Sequence, residues 1–227
     1  MNELIFLLHI MFVVGFTFLA FRIGKSALIV FVCLQAVLAN LFVVKQMNIL
    51  GLNATCADVF IIGSILGINL IQEYYGKDAA EETIKISFFA MFFYLIMSQV
   101  HLFYLPNSFD NAHDLFEGIL KFAPRITIAS VFAYFVVLII NNKFYAYLKN
   151  SFKDKYLFLR NFISIMLTQL LDTFIFVFAA LYGIVGSVWQ VMFVSLVLKV
   201  IVISLSTPFV ELSKKLFSKK IVENGNK

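Results

Sequence analysis

The chain has 227 residues, 62% of them hydrophobic and only 14% charged, with 28 phenylalanines and a mean hydropathy of +0.94. An ordinary soluble domain carries about 25% charged residues, so this composition excludes a soluble protein and points to an integral membrane one. The net charge of +5 does not mark a nucleic-acid binder, because Lys and Arg gather in short segments between apolar runs, where they set membrane topology.

Seven apolar runs are long enough to cross about 30 Å of hydrocarbon: roughly 4–21, 27–44, 56–72, 84–105, 122–141, 158–183 and 187–210. The first follows Met-Asn-Glu, with no positive charge before it and with Arg22 and Lys25 after it. It therefore reads as a first helix with its N-terminus outside, not as a signal peptide. On that start, the inside segments are 22–26, 73–83, 142–157 and the tail from 211. They hold Arg22, Lys25, Lys77, Lys143, Lys149, Lys153, Lys155, Lys214, Lys215, Lys219, Lys220 and Lys227. The outside segments contain Lys45 and Lys121 and include an acidic loop, 106–121, with Asp110, Asp114 and Glu117. This asymmetry obeys the positive-inside rule. The expectation is an all-α bundle of about seven transmembrane helices, N-terminus outside and C-terminus cytoplasmic. It forms one polytopic domain over 1–227, with 214–227 a short basic tail.

Polar residues inside the spans come in faces. At 100° per residue, Asp58, Asn69, Gln72 and Glu73 fall within roughly 100° on the third span, with Asp58 expected near the outer mouth and Glu73 near the cytoplasmic end. On the fifth, Thr127, Ser130, Tyr134 and Asn141 lie within about 60°, while Arg125, next to Pro124, starts that helix on the opposite side. On the sixth, Asn161, Ser164, Thr168, Gln169 and Asp172 share roughly 140°, and on the seventh Ser195, Lys199 and Ser206 share about 40°. Hydroxyls in such helices often bond their own backbone, and amides can hold helices together. Asp172 and Lys199 are harder to explain that way, since each lies near the middle of its apolar run. Intramembrane charges of opposite sign are expected either to pair or to line a watered cavity.

Other chemistry finds little support. Cys33 and Cys56 lack metal-ligand spacing, and His9, His101 and His113 are scattered, so no metal or other cofactor is expected. No G-x-x-x-x-G-K-[ST] occurs, so any dependence on ATP would need a separate energising partner. Asp172 has no second carboxylate on its own helix and the polar faces hold no His, which argues against an enzyme.

Five segments resemble a known family: ANLFVVK (39–45), QEYYGKDAA (72–80), RITIASVFAY (125–134), RNFISIMLTQLLDT (160–173) and LKVIVISLSTP (198–208). Together they are similar to signature segments of the queuosine precursor transporters, once grouped as putative vitamin uptake transporters. This chain departs from the family pattern at Asn69, Gln72, Leu138 and Asn141, and the helix at 4–21 looks like an addition to a six-helix core. The resemblance implies uptake of 7-deazaguanines (preQ0, preQ1 or queuine) for tRNA modification, in a multi-pass protein of the bacterial inner membrane. The partners it implies are a guanine-like base and the lipid bilayer, with no nucleic acid and with homo-oligomerisation left open. The alternative is a vitamin or other small-molecule uptake subunit that works with an energising partner. The implied substrate-binding residues are Asp172, Gln169, Asn161, Lys199, Tyr134, Phe176, Glu73, Arg125 and Asn40. Asp172 would accept from the guanine-like edge, Gln169, Asn161 and Lys199 would add hydrogen bonds, and Phe176 or Tyr134 would stack on the base. Arg125 and Glu73 would more naturally hold gates or helix ends.

Overall fold

The computed structural model describes residues 1–151 and 157–201. The tail expected at 214–227 lies outside the described residues, as do the side chains of Glu73, Leu138, Asn141 and Asn161. The long helices are α1 (Asn2–Ile23), α2 (Lys25–Phe42), α3 (Asp58–Tyr75) and α4 (Lys77–Leu102). A short α5 (His113–Leu120) leads into α6 (Ala123–Ser151) and α7 (Leu157–Phe176), and α8 covers Val188–Ile201. Each apolar run in the sequence thus coincides with a helix over its described part. Asn2–Ile23, Lys25–Phe42 and Asp78–Leu102 are long and apolar enough to cross a membrane, and Asp58–Gln72, Met166–Leu181 and Val188–Ile201 are shorter apolar helices.

The helices turn apolar side chains outward. Leu4, Met11, Phe12 and Phe16 of α1, Phe89 and Phe93 of α4, Ile128 and Phe132 of α6, and Phe193 of α8 are all exposed. In water this would be a large unsatisfied apolar surface, whereas in lipid it is the expected outer face of a helical membrane protein. The chain is therefore an all-α membrane protein.

Helix α2 packs against α1, α3, α4 and α6, and α6 packs against α7. The α2–α3 crossing is close because α3 carries glycines at the contact. A Cβ at Gly67 would come within 2.5 Å of Val32 Cγ2, and one at Gly63 would collide with the Gln35 amide and Val13. Around this crossing Phe21, Leu28, Val32, Leu66, Leu70 and Ile71 form a dry core. Small residues that let backbones approach are the usual means of helix association in membranes.

Two elements were not expected from the sequence. Residues 46–55 form an antiparallel hairpin, β1 (Gln46–Ile49) and β2 (Leu52–Thr55), in which Ile49 pairs with Leu52. Its two-residue turn needs positive φ at both positions, and Leu50 (φ 50) and Gly51 (φ 80) supply it. The hairpin is pinned on both sides. Glu3 Oε1 accepts from Leu50 N at 3.1 Å and Asn2 Nδ2 donates to Asn48 O at 3.0 Å. Toward α8, Gly186 N donates to Gln46 Oε1 at 2.9 Å and Asn53 N to Gln190 Oε1 at 3.0 Å. The second element is α5, inside the acidic 106–121 loop. Asp110 Oδ1 starts it by accepting from the backbone N–H groups of Ala112 (2.7 Å) and His113 (3.2 Å).

Candidate functional site

Between α2, α3, α4, α6, α7 and α8 lies a cavity of about 370 Å³, within the range of small-molecule sites. Most of its wall is aliphatic. Its polar lining comprises Asn40, Thr55, Asp58, Ser64, Ser87, Ser130, Tyr134, Gln169, Asp172, Thr173, Ser195 and Lys199. The polar faces of α6, α7 and α8 converge here because a hydroxyl, amide or charge that faced lipid would lose its hydrogen bonds at a cost of several kcal/mol.

The centre of the site is an ion pair. Lys199 Nζ lies 2.8 Å from Asp172 Oδ2 and donates also to Thr173 Oγ1 at 2.9 Å. The Lys199 side chain is 6% exposed and that of Asp172 33%. Because both line the cavity, the surface that Asp172 exposes includes cavity wall. The sequence left a structural bridge and a charged cavity as alternatives, and the structure contains both at once. One Lys199 proton remains for another acceptor, and among the described residues Asp172 Oδ1 accepts no hydrogen bond.

Gln169, one turn before Thr173 on α7, also lines the cavity, and no described residue bonds its amide. Across the cavity, Asn40 is held in a fixed orientation. Its Nδ2 donates to Ala36 O at 2.8 Å and meets Met91 Sδ at 3.1 Å, while its Oδ1 accepts from Ser130 Oγ at 3.1 Å. Tyr134 and Phe88 both line the wall and meet edge-to-face, with ring centroids 4.8 Å apart. Phe176 lines the α7 side.

Of the candidate residues, Asp172, Gln169, Lys199, Tyr134, Phe176 and Asn40 thus share one cavity. Arg125 stands apart from it. Its Nε donates to Ala179 O at 2.9 Å and its Nη2 to Tyr182 O at 2.7 Å. These carbonyls belong to the single π-helical turn Val177–Leu181 and the residue after it. A π turn leaves carbonyls that the regular helical ladder would have used, and Arg125 satisfies two of them. Val177 and Leu181 of that turn line the cavity, so Arg125 shapes the wall from behind. Glu73 and Asn161 have side chains outside the described residues, and no position for them is given.

One further group joins the site. Asp58, expected near the outer mouth, is 3% exposed and lines the same cavity. Ser195 Oγ donates to its Oδ1 at 2.6 Å and Thr55 Oγ1 to its Oδ2 at 3.5 Å. Thr55 lies only three residues before Asp58 in the chain, so that contact is local. The Ser195 contact joins residues 137 positions apart and leaves no trace in local pattern.

A helical membrane protein with a buried ion pair and further polar side chains lining an internal cavity has the construction of a small-molecule carrier. Residues 55–213 match the family described as "Putative vitamin uptake transporter", and the chain belongs to that family. It is 31% identical over 214 residues, 93% of this chain and 90% of the relative, to the "Probable queuosine precursor transporter" of Bacillus subtilis (strain 168). No solved structure matches the chain.

Proposed function

We propose that the protein imports a 7-deazaguanine precursor of queuosine (preQ0, preQ1 or queuine) through this cavity, as a seven-span protein of the bacterial inner membrane with its N-terminus outside. The observation that carries the reading is the Lys199–Asp172–Thr173 cluster beside the Gln169 amide, which no described residue bonds, in a cavity flanked by aromatic rings. A guanine-like edge presents a carbonyl oxygen, then N1–H, then an exocyclic amine. A carboxylate accepts the two donors as a pair, and an ammonium donates to the carbonyl. Asp172 and Lys199, already adjacent, supply that sequence of groups. Gln169 and Asn40 add hydrogen bonds, and Tyr134 or Phe176 stacks on the π-face of the base. The name of the Bacillus subtilis relative, a queuosine precursor transporter, supports the same substrate.

The carrier would expose the site alternately to the two sides, with no chemical step and no cofactor. The test is queuosine content of tRNA in a host lacking both its own synthesis and its own transporter. The host would express this chain and be supplied with preQ0, preQ1 or queuine and the matching downstream enzymes. Restored queuosine with one of them identifies the substrate. Failure with all three, with the protein present in the membrane, overturns the reading and shifts it to uptake of another small molecule.

A further inference from the structure

Among the described residues the cavity holds two carboxylates and one ammonium, so their charges do not balance. Lys199 is spent on Asp172, and Asp58 has no cationic nitrogen within 4.0 Å among the described residues. Asp58 is also the more deeply buried of the two acids; the hydroxyls of Ser195 at 2.6 Å and Thr55 at 3.5 Å donate to it, and the Thr55 backbone and the more distant Lys199 charge also act on it. Its place in the first turn of α3 offers the partial positive charge of a helix start, equivalent to about half an elementary charge at most. An isolated buried carboxylate costs several kcal/mol even after relaxation. Something must neutralise it, and a proton on one of its oxygens does so without displacing Ser195 or Thr55.

We propose that Asp58 is the carboxyl group that carries a coupled proton during transport, and that Lys199 decides when the proton leaves. Ser195, the partner of Asp58, and Lys199, the partner of Asp172, stand one turn apart on α8, about 6 Å along its axis. The flexible lysine arm is therefore placed between the two acids. While Lys199 sits on Asp172, as here, Asp58 takes a proton and the cavity is neutral. A guanine-like ligand bound to Lys199 and Asp172 together holds the ammonium there, so ligand and proton travel as a pair. Once the ligand departs on the inside, Lys199 is free to turn to Asp58. The proton is then released to the cytoplasmic side, the lysine replaces it as the counter-charge of Asp58, and Asp172, 33% exposed, is left ionised to the water of the emptied cavity. Proton bookkeeping closes: one is bound outside on an Asp58 oxygen and one is released inside.

The other titratable groups on the elements around Asp58 are few. Tyr134 on α6 and Asp172 on α7 line the cavity, and Cys56 lies two residues before Asp58. His9 on α1 packs its ring against Phe60 at 5.1 Å, and Lys45 accepts the Cys56 backbone N–H on its carbonyl.

This inference rests on the proposed substrate, and the experiment separates the two. The full chain is reconstituted in liposomes with the membrane potential clamped at zero, and radiolabelled preQ0, preQ1 and queuine are supplied in turn. Counterflow exchange without any gradient tests the substrate. An inside-alkaline step of one pH unit tests the proton, with accumulation expected to reach about tenfold for one proton per ligand, since each tenfold ratio matches 1.4 kcal/mol. A pH dye inside the vesicles should report acidification on ligand addition. Asp58→Asn should keep counterflow and lose both the accumulation and the acidification. If wild-type protein exchanges ligand but ignores the pH step, or follows a sodium gradient instead, the proton role of Asp58 is wrong and the substrate reading stands. Accumulation retained by a folded Asp58→Asn also overturns it. Should Asp58→Asn fail to fold, the wild-type gradient and dye measurements decide alone. Absence of exchange with all three ligands removes the substrate reading, and this inference with it.

Discussion

Two buried polar sites on opposite sides of α2 show how differently this molecule treats polar groups. On the α1–α3 side, Gln35 is 1% exposed, and neither its amide nitrogen nor its amide oxygen has a hydrogen-bond partner among the described residues. With Val13, it fills the space that a Cβ at Gly63 would need. On the cavity side, Asn40, five residues further along the same helix, has both Nδ2 hydrogens in use and its Oδ1 accepting one bond, which leaves Oδ1 one more acceptor site on the cavity wall. One face of α2 is built for close packing and tolerates an orphan. The other is built to present oriented polar groups to something absent from the protein itself.

The largest effect should come from breaking the charged cluster. Asp172→Asn leaves the Lys199 ammonium buried without its counter-charge, and truncating one partner of such a pair typically costs 2–5 kcal/mol. Uptake of the precursor in vesicles should fall by roughly 30-fold or more. Adding Lys199→Met to Asp172→Asn should recover thermal stability in detergent without recovering uptake, because a hydrophobic replacement of a buried pair is often neutral for folding. Recovery of uptake in the double variant would show that the pair is only structural.

On the dry side the same scale of damage should appear in stability and not in transport. Gly67→Val puts a branched side chain against Val32 Cγ2, already 2.5 Å from a bare Cβ. Overpacking of this kind costs about 1–3 kcal/mol. The thermal midpoint should drop, while uptake per folded molecule should fall far less than in Asp172→Asn, since Val32 gives the cavity only an aliphatic wall. A smaller effect of opposite sign is expected at Gln35. Gln35→Met keeps length and removes two unsatisfied polar atoms, so the midpoint should rise by the equivalent of about 1 kcal/mol. A fall would mean that the amide has a partner that the packing does not reveal.

Much of this contrast was legible in the sequence. Apolar runs located the helices, since period and length are strong signals over 18 or more residues. Clustering of Ser130, Tyr134, Gln169, Asp172, Ser195 and Lys199 on helix faces pointed toward a common cavity. The hairpin was not legible, because its turn is Leu50-Gly51 and not the Asn-Gly or Asp-Gly pair that usually announces one, and each of its strands has only four residues. Nor was the depth of Asp58. Its position at the start of an apolar run suggests a helix mouth, and only the packing of α8 across α3 encloses it. Gln35 escaped notice for a related reason: it lies about 140° around α2 from Asn40, the other amide of that helix, so the two do not make one polar face.

The smallest predicted effect is the most discriminating about the wet face. Ser130 Oγ has two acceptors within reach, Asn40 Oδ1 at 3.1 Å and its own helix carbonyl at Ile126, 3.0 Å away, but one proton to give. Its bond to Asn40 is therefore made only part of the time, and its net contribution should fall below the usual 1 kcal/mol or so. Ser130→Ala should leave stability almost unchanged and raise the apparent KM for the precursor by about two- to threefold, with maximal velocity intact. Ser130→Thr, which keeps the hydroxyl, should restore it. That split is what orientation of a binding group produces: Asn40 still reaches the ligand but is held less firmly. If Ser130→Ala lowers the thermal midpoint and leaves KM untouched, Asn40 serves the α2–α6 contact and not the ligand, and the two faces of α2 differ less than their hydrogen bonds suggest.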